Sequence, residues 1–244
     1  MEFVSPEGLR QDGRRPKELR RLACQLDVLQ SADGSAIFEM GNTKVMAAVF
    51  GPREVEMRGQ QLADRALVNC EYSMAAFSTG ERRKRGKTDR RSTEISRVIK
   101  AALEQTIMVE LLPRSQISIY LQVLQADGGT RCAAINAAVL ALAAAGVPMR
   151  DLAASCAAGY LESTPLLDLN FSEDSGGGPD MAVALHPATG RLVLLQMDSR
   201  LPLATFESVL VLAQDGCRAV AGFMREQLLA HTQRLGMARG AVRA

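Results

Sequence analysis

Tryptophan is absent from this 244-residue chain, and aromatic residues of every kind make up only 4% of it. A surface that stacks one base after another needs a supply of rings, so a base-stacking platform for single strands is poorly provisioned. Any nucleic acid held here is held chiefly through its backbone charge. Histidine occurs only at His186 and His231, far apart and with no nucleophile pattern beside them. No histidine-based triad is readable. The five cysteines (Cys24, Cys70, Cys132, Cys156 and Cys217) are odd in number, widely spaced and form no C-x-x-C. That argues against both a disulfide framework and a zinc site. The expectation is small apolar side chains in a reducing compartment, with Cys132 near a functional loop but without chemistry of its own. No G-x-x-x-x-G-K-[ST] phosphate loop occurs. The apolar stretch 133–147 is too short for a bilayer and is interrupted by Asn136. No signal-peptide pattern fits the N-terminus, so no membrane association and a cytoplasmic or nuclear site are expected.

What is present fits an ordinary globular protein: 47% hydrophobic and 23% charged residues, with a formal net charge of +2. The length suffices for a substantial core. No linker divides the chain, so a single domain over 1–244 is expected, with its core over about 8–235 and frayed termini.

Ten residues carry the most information: Gln125-Ala126-Asp127-Gly128-Gly129-Thr130-Arg131-Cys132-Ala133-Ala134. Alternating Ile117, Ile119, Leu121 and Val123 predict a strand leading in. A helix from about Arg131 to Ala145 leads out, stopped by Gly146 and Pro148. Paired glycines let a ligand approach the backbone. Thr130 and Arg131 add a hydroxyl and a guanidinium fork at a helix N-terminus, which is an anion site. A simple strand-to-helix bend is the plainer alternative.

Two further segments stand out. Glu173-Asp174-Ser175-Gly176-Gly177-Gly178-Pro179-Asp180 brings two carboxylates together around a glycine-rich loop. Such a pair suits Mg²⁺ shared with substrate phosphates, although a solvated acidic turn reads the same way. Residues 81–100 hold nine Lys and Arg against three Asp and Glu, a local net of +6 in a chain of +2. Charge focused in this way suits a polyanion, or forms a solvated loop.

The remaining pattern predicts strands at 22–28, 36–40, 44–50, 66–77, 153–161, 181–186 and 192–197. Asp33-Gly34 and Gly41-Asn42 read as hairpin turns, and 52–64 and 79–90 as charged loops. A helix is expected from Ser92-Thr93-Glu94 to before Pro113, and a last one over about 205–235. The class is α+β.

Taken together, these segments resemble the RNase PH family of phosphorolytic exoribonucleases, over about residues 8–230. Arg10-Gln11-Asp12-Gly13-Arg14-Arg15, Glu18-Leu19-Arg20, Ala32-Asp33-Gly34-Ser35 and Gly41-Asn42-Thr43-Lys44-Val45 join in the family's order. Cys70-Glu71-Tyr72-Ser73-Met74, Phe77-Ser78-Thr79-Gly80, Asp89-Arg90-Arg91-Ser92-Thr93-Glu94 and Leu194-Leu195-Gln196-Met197-Asp198 are similar to the catalytic-type ring subunit of the exosome, in a plant or green-algal form.

The resemblance implies the RNase PH fold, similar to ribosomal protein S5 domain 2, with two βαβ-like lobes in one domain. It implies phosphate-dependent 3′→5′ trimming of RNA with release of nucleoside 5′-diphosphates. Gly129, Thr130, Arg131 and Cys132 would hold the attacking phosphate. Asp174 and Asp180 would be catalytic and would bind Mg²⁺, with Mn²⁺ as an alternative. Arg90 and Arg91, with Arg82, Arg83 and Arg85, would grip RNA. Implied partners are a single-stranded RNA 3′ end, other RNase PH-like subunits in a six-membered ring and RNA-binding cap subunits, in nucleus, nucleolus and cytoplasm. Alternatives are an inert channel subunit of that ring, or a free-standing RNase PH trimming tRNA 3′ ends. Pro179 departs from the more acidic loop of archaeal relatives.

Overall fold

The computed structural model describes residues 3–5, 7–82, 89–238 and 240. Its order is β1 (Leu22–Leu26), β2 (Gly34–Met40), β3 (Thr43–Glu54), β4 (Leu67–Met74), α1 (Arg90–Thr106), β5 (Ser115–Gln125), α2 (Thr130–Ala144), β6 (Ala154–Leu161), β7 (Thr164–Leu167), α3 (Phe171–Asp174), β8 (Asp180–His186), β9 (Arg191–Met197) and α4 (Leu203–Ala238). One sheet has the order β1-β2-β3-β5-β4 and the other β7-β6-β8-β9. β4 runs parallel to β5, with α1 as the crossover, and the other pairs are antiparallel. This is the expected α+β architecture.

Helix α2 explains how two sheets share one core. Every residue from Cys132 to Leu142 is buried. A helix apolar on all sides belongs inside, and α2 lies between β2 and β3 of one sheet and β6 and β8 of the other. Small side chains let backbones close in. A Cβ added at Gly34 would lie 2.3 Å from the Ala141 carbonyl oxygen. Gly34 is thus a packing glycine at the start of β2 rather than only a hairpin residue. The one polar side chain in this buried run is fully used: Asn136 donates to the Ser155 carbonyl at 2.9 Å and accepts from the Ser155 amide at 2.8 Å. Helix α4 covers β6, β8 and β7 from the other face.

Several boundaries differ from expectation. The strand expected to reach residue 77 stops at Met74, and the chain turns where the Ser78 amide donates to the Ala75 carbonyl. β3 runs on to Glu54, four residues further than its apolar pattern. The first helix begins at Arg90 rather than Ser92, because the Asp89 carboxylate accepts from the Arg91 amide and caps it. Arg90, expected at the end of a loop, therefore sits with Arg91 in a helical first turn. β7 and α3 were not expected. No helix among the described residues is long and apolar enough to cross a membrane.

Candidate active site

Three chain segments converge at the N-terminal end of α2. β5 delivers the loop 126–129, and Gly129 is the N-cap with φ +61° and no capping side chain. The first amides of α2 have no intrahelical acceptor, so they remain open to an anion. Gly128 also has a positive φ, +72°. A Cβ on it would lie 2.5 Å from the Leu169 carbonyl oxygen, so the loop is pressed against the segment that leads into α3. The Asp127 carboxylate strengthens this seam, accepting from the Phe171 amide at 3.1 Å and the Asn42 side chain at 3.0 Å.

Across the seam, α3 ends on Asp174. An Asn170–Glu173 capping box starts this short helix. Asp180 opens β8, opposite Gly159 of β6. The two predicted carboxylates lie within each other's field. Partial burial is the main cause that pushes the Asp174 carboxyl above its ordinary value of 3.8, and the Asp180 charge adds to it. The guanidiniums of Arg91, Arg131 and Arg20 oppose the rise. The fold thus gathers Asp174, Asp180, Arg91 and Arg131, four residues from four elements, into one electrostatic neighbourhood.

Arg131 is half-buried, and its Nε is buried with no hydrogen-bond partner among the described residues. A buried donor left in that state is unusual, and an anionic ligand would satisfy it. Thr130 and Gly129 beside it are half-buried. Cys132 is placed differently from its neighbours. Its side chain packs against Ala157 and Ala182, and burial pushes the thiol up to about 11. With the side chain buried, the Cys132 amide is the group left to serve a ligand. Arg90 and Arg82 are exposed. Arg83 and Arg85 lie outside the described residues.

Among the described residues, no three His, Cys, Asp or Glu side chains form a metal cluster. The Asp174–Asp180 pair still fits Mg²⁺, which commonly takes one or two carboxylates and completes its shell with substrate phosphates and water.

Sequence reading assigned no role to the supports behind this site. Arg20 and Asp168 form a buried ion pair at 2.7 Å beneath the 126–129 loop. Arg10 and Glu173 form another under α3, with both side chains fully buried. The partners lie 148 and 163 residues apart in sequence, so no local spacing announces them. The one available signal was their membership of the short arginine-rich motifs near the N-terminus.

The chain is similar to known proteins over nearly its whole length. The 3′ exoribonuclease family, domain 1, matches residues 18–148, and its domain 2 matches residues 151–216. An exosome complex component RRP41 homolog of Arabidopsis thaliana is 60% identical over 242 residues, covering 99% of this chain and 100% of that protein. Exosome complex component RRP41 of Mus musculus is 47% identical, covering 98% of each chain. Rrp41 of Methanopyrus kandleri is 49% identical over 93% of this chain and 94% of its own. The crystal structure of rice Rrp46 superposes with a TM-score of 0.80 at 26% identity, over 90% of this chain and all of that one.

Proposed function

The chain belongs to the RNase PH family of 3′ exoribonucleases, and from that premise we propose that it is a catalytically competent ring subunit of an RNA exosome that shortens RNA from the 3′ end by phosphorolysis. The observation that carries this reading is that Asp174 lies in the field of Asp180, Arg91 and Arg131, the last in the first turn of a helix whose N-terminus has no capping side chain.

In the proposed reaction, an oxygen of inorganic phosphate attacks the phosphorus of the last phosphodiester. The 3′ oxygen of the preceding nucleotide leaves and takes a proton. The products are a nucleoside 5′-diphosphate and an RNA one residue shorter. Two anions must meet, so the site must offset their repulsion with fixed donors and cations. Arg131, the Thr130 hydroxyl and the first amides of α2 hold the attacking phosphate. Arg91, with Arg90 beside it, holds the RNA backbone. Arg82, Arg83 and Arg85 extend that basic track. One of the two carboxyls supplies the proton to the leaving oxygen. Asp174 and Asp180 would hold Mg²⁺, or Mn²⁺ in its place, which when bound neutralises charge on the phosphates.

The ring comprises six RNase PH-like subunits with RNA-binding caps on one face, and the RNA path is completed by neighbours, so activity belongs to the assembled ring. The subunit works in the nucleus, nucleolus and cytoplasm. The test is a reconstituted ring given a 5′-labelled single-stranded RNA, with and without phosphate, beside Asp180→Ala and Arg131→Ala. Shortening only with phosphate, abolished by both substitutions, is the expected result. RNA bound but left intact under every condition would instead make this an inert channel subunit.

A further inference from the structure

We propose that Arg20, locked by Asp168, is a positioning residue for the phosphate-holding loop, acting through the carbonyls of Asp127 and Gly128. The proposal rests on the phosphorolytic reading above.

Arg20 is only 7% exposed; besides a 3.3 Å bond from Nη1 to the Thr43 hydroxyl, it spends its donors on two sets of partners. One set is Asp168, whose carboxylate accepts from the Arg20 amide and Nε, both at 3.0 Å, and from Nη2 at 2.7 Å. The other set is the loop itself: Nη1 donates to the Asp127 carbonyl, and Nη2 reaches the Gly128 carbonyl at 3.4 Å. Thr43 works beside it. Its hydroxyl donates to the Gly128 carbonyl at 2.7 Å and accepts from the Asp127 amide at 3.1 Å.

A trans peptide points its carbonyl and the following N–H in opposite directions. Carbonyls of Asp127 and Gly128 turned down onto Arg20 therefore turn the amides of Gly128 and Gly129 the other way, at the mouth of α2. Because Asp168 already balances the Arg20 charge, the contribution of Arg20 to phosphate is geometric.

Two independent features show how closely the surroundings are fitted to this side chain. Arg20 threads between two glycines of positive φ: a Cβ on Gly41 would meet its Cδ at 2.6 Å, and one on Gly129 would meet its Nη2 at 3.2 Å. Asp168 is itself a non-glycine residue in the left-handed region, φ +53° and fully buried. Strain of that kind persists only where the surroundings over-determine it, and it clusters at functional sites.

The experiment uses the reconstituted ring. Inorganic phosphate is titrated calorimetrically without RNA, and the KM for phosphate is measured at saturating RNA, for wild type, Arg20→Lys, Thr43→Val and Thr43→Ser. Lys keeps the charge but cannot bridge both carbonyls and Asp168 with one fork. The expected result is phosphate affinity and KM worsened about tenfold or more in Arg20→Lys, since small misplacements of a positioning group have effects of that order. RNA affinity should be unchanged. Thr43→Val should shift the same quantities by less, and Thr43→Ser should restore them. An Arg20→Lys ring with wild-type phosphate affinity and KM, and only a lower Tm or active fraction, would overturn the proposal. Should Arg20→Lys fail to assemble, an unchanged phosphate KM in Thr43→Val overturns it alone. A wild-type ring that neither binds nor requires phosphate would instead remove the phosphorolytic reading, and the proposal with it.

Discussion

Replacing Gly128 with alanine tests the seam between the phosphate loop and the aspartate-bearing segment. Two penalties apply at this position. The left-handed backbone, φ +72°, costs a residue with a Cβ about 1–2 kcal/mol. The new methyl would also sit 2.5 Å from the Leu169 carbonyl oxygen and 2.7 Å from the Asn170 carbonyl carbon. These are backbone atoms that cannot swing aside, and overpacking of this kind costs about 1–3 kcal/mol. The sum is about 2–5 kcal/mol, a large share of the roughly 5–15 kcal/mol that holds an ordinary domain together. Gly146 supplies the control. It has the same φ, +72°, with nothing within 4 Å of an added Cβ, so Gly146→Ala should show the backbone penalty alone, about 1–2 kcal/mol. Gly129→Ala belongs between them, because its Cβ would meet side-chain tips alone, Arg20 Nη2 at 3.2 Å and Asp168 Oδ1 at 3.9 Å. Urea denaturation of the subunit reads the series, with the midpoint moving and the slope constant. In the assembled ring, Gly146→Ala should keep its activity, whereas Gly128→Ala should lose most of it as the loop parts from α3. A Gly128→Ala protein no less stable than Gly146→Ala would refute the close packing on which the site geometry depends.

Other outcomes follow from the buried polar groups. Glu173→Gln leaves the Arg10 guanidinium fully buried without a counter-charge, and should destabilise the subunit by about 3–5 kcal/mol in the same denaturation assay. Asn136→Ala strips the partners from both the amide and the carbonyl of Ser155 in the core, and each unsatisfied group should cost about 1–3 kcal/mol. His186 packs its Nε2 3.2 Å from the Thr106 hydroxyl. Burial is the main cause holding its pKa below 6.5, with Arg191 and Arg150 adding to this and Asp151 opposing it. The unfolded chain therefore binds this proton more readily, and stability should fall as the pH drops through 6.5 and below. His186→Gln should flatten that part of a Tm-against-pH curve, and an unaltered slope would place its origin elsewhere.

The elements that were legible are those whose patterns are local. Alternation at Ile117, Ile119, Leu121 and Val123 marked β5, and Gly146 with Pro148 marked the end of α2, because each signal lies within a few residues of what it specifies. β7 was not legible: it has only four residues, including Pro165, too few for a period to register. α3 is a single capped turn running into three glycines, and reads as loop. The site divides in the same way. Asp174, Asp180, Thr130 and Arg131 stand in short motifs whose residue types suit phosphate chemistry. Asp168 carries no motif at all. Its role appears only when the chain returns 148 residues later to meet Arg20. Cys132 was legible only in part. Adjacency to Arg131 placed it near the loop without chemistry of its own and the resemblance implied a phosphate ligand, but neither showed that one helical step of about 100° turns its side chain into the core and leaves its amide at the start of α2.

In the proposed reaction phosphate, not water, breaks the RNA chain. The most direct measurement is to give the reconstituted ring an unlabelled single-stranded RNA, Mg²⁺ and ³²P-labelled inorganic phosphate, and to separate the mononucleotide products. Label in the β-position of nucleoside 5′-diphosphates, absent with Arg131→Ala or Asp180→Ala, is the predicted result. Unlabelled nucleoside monophosphates, or RNA that stays intact, would contradict it.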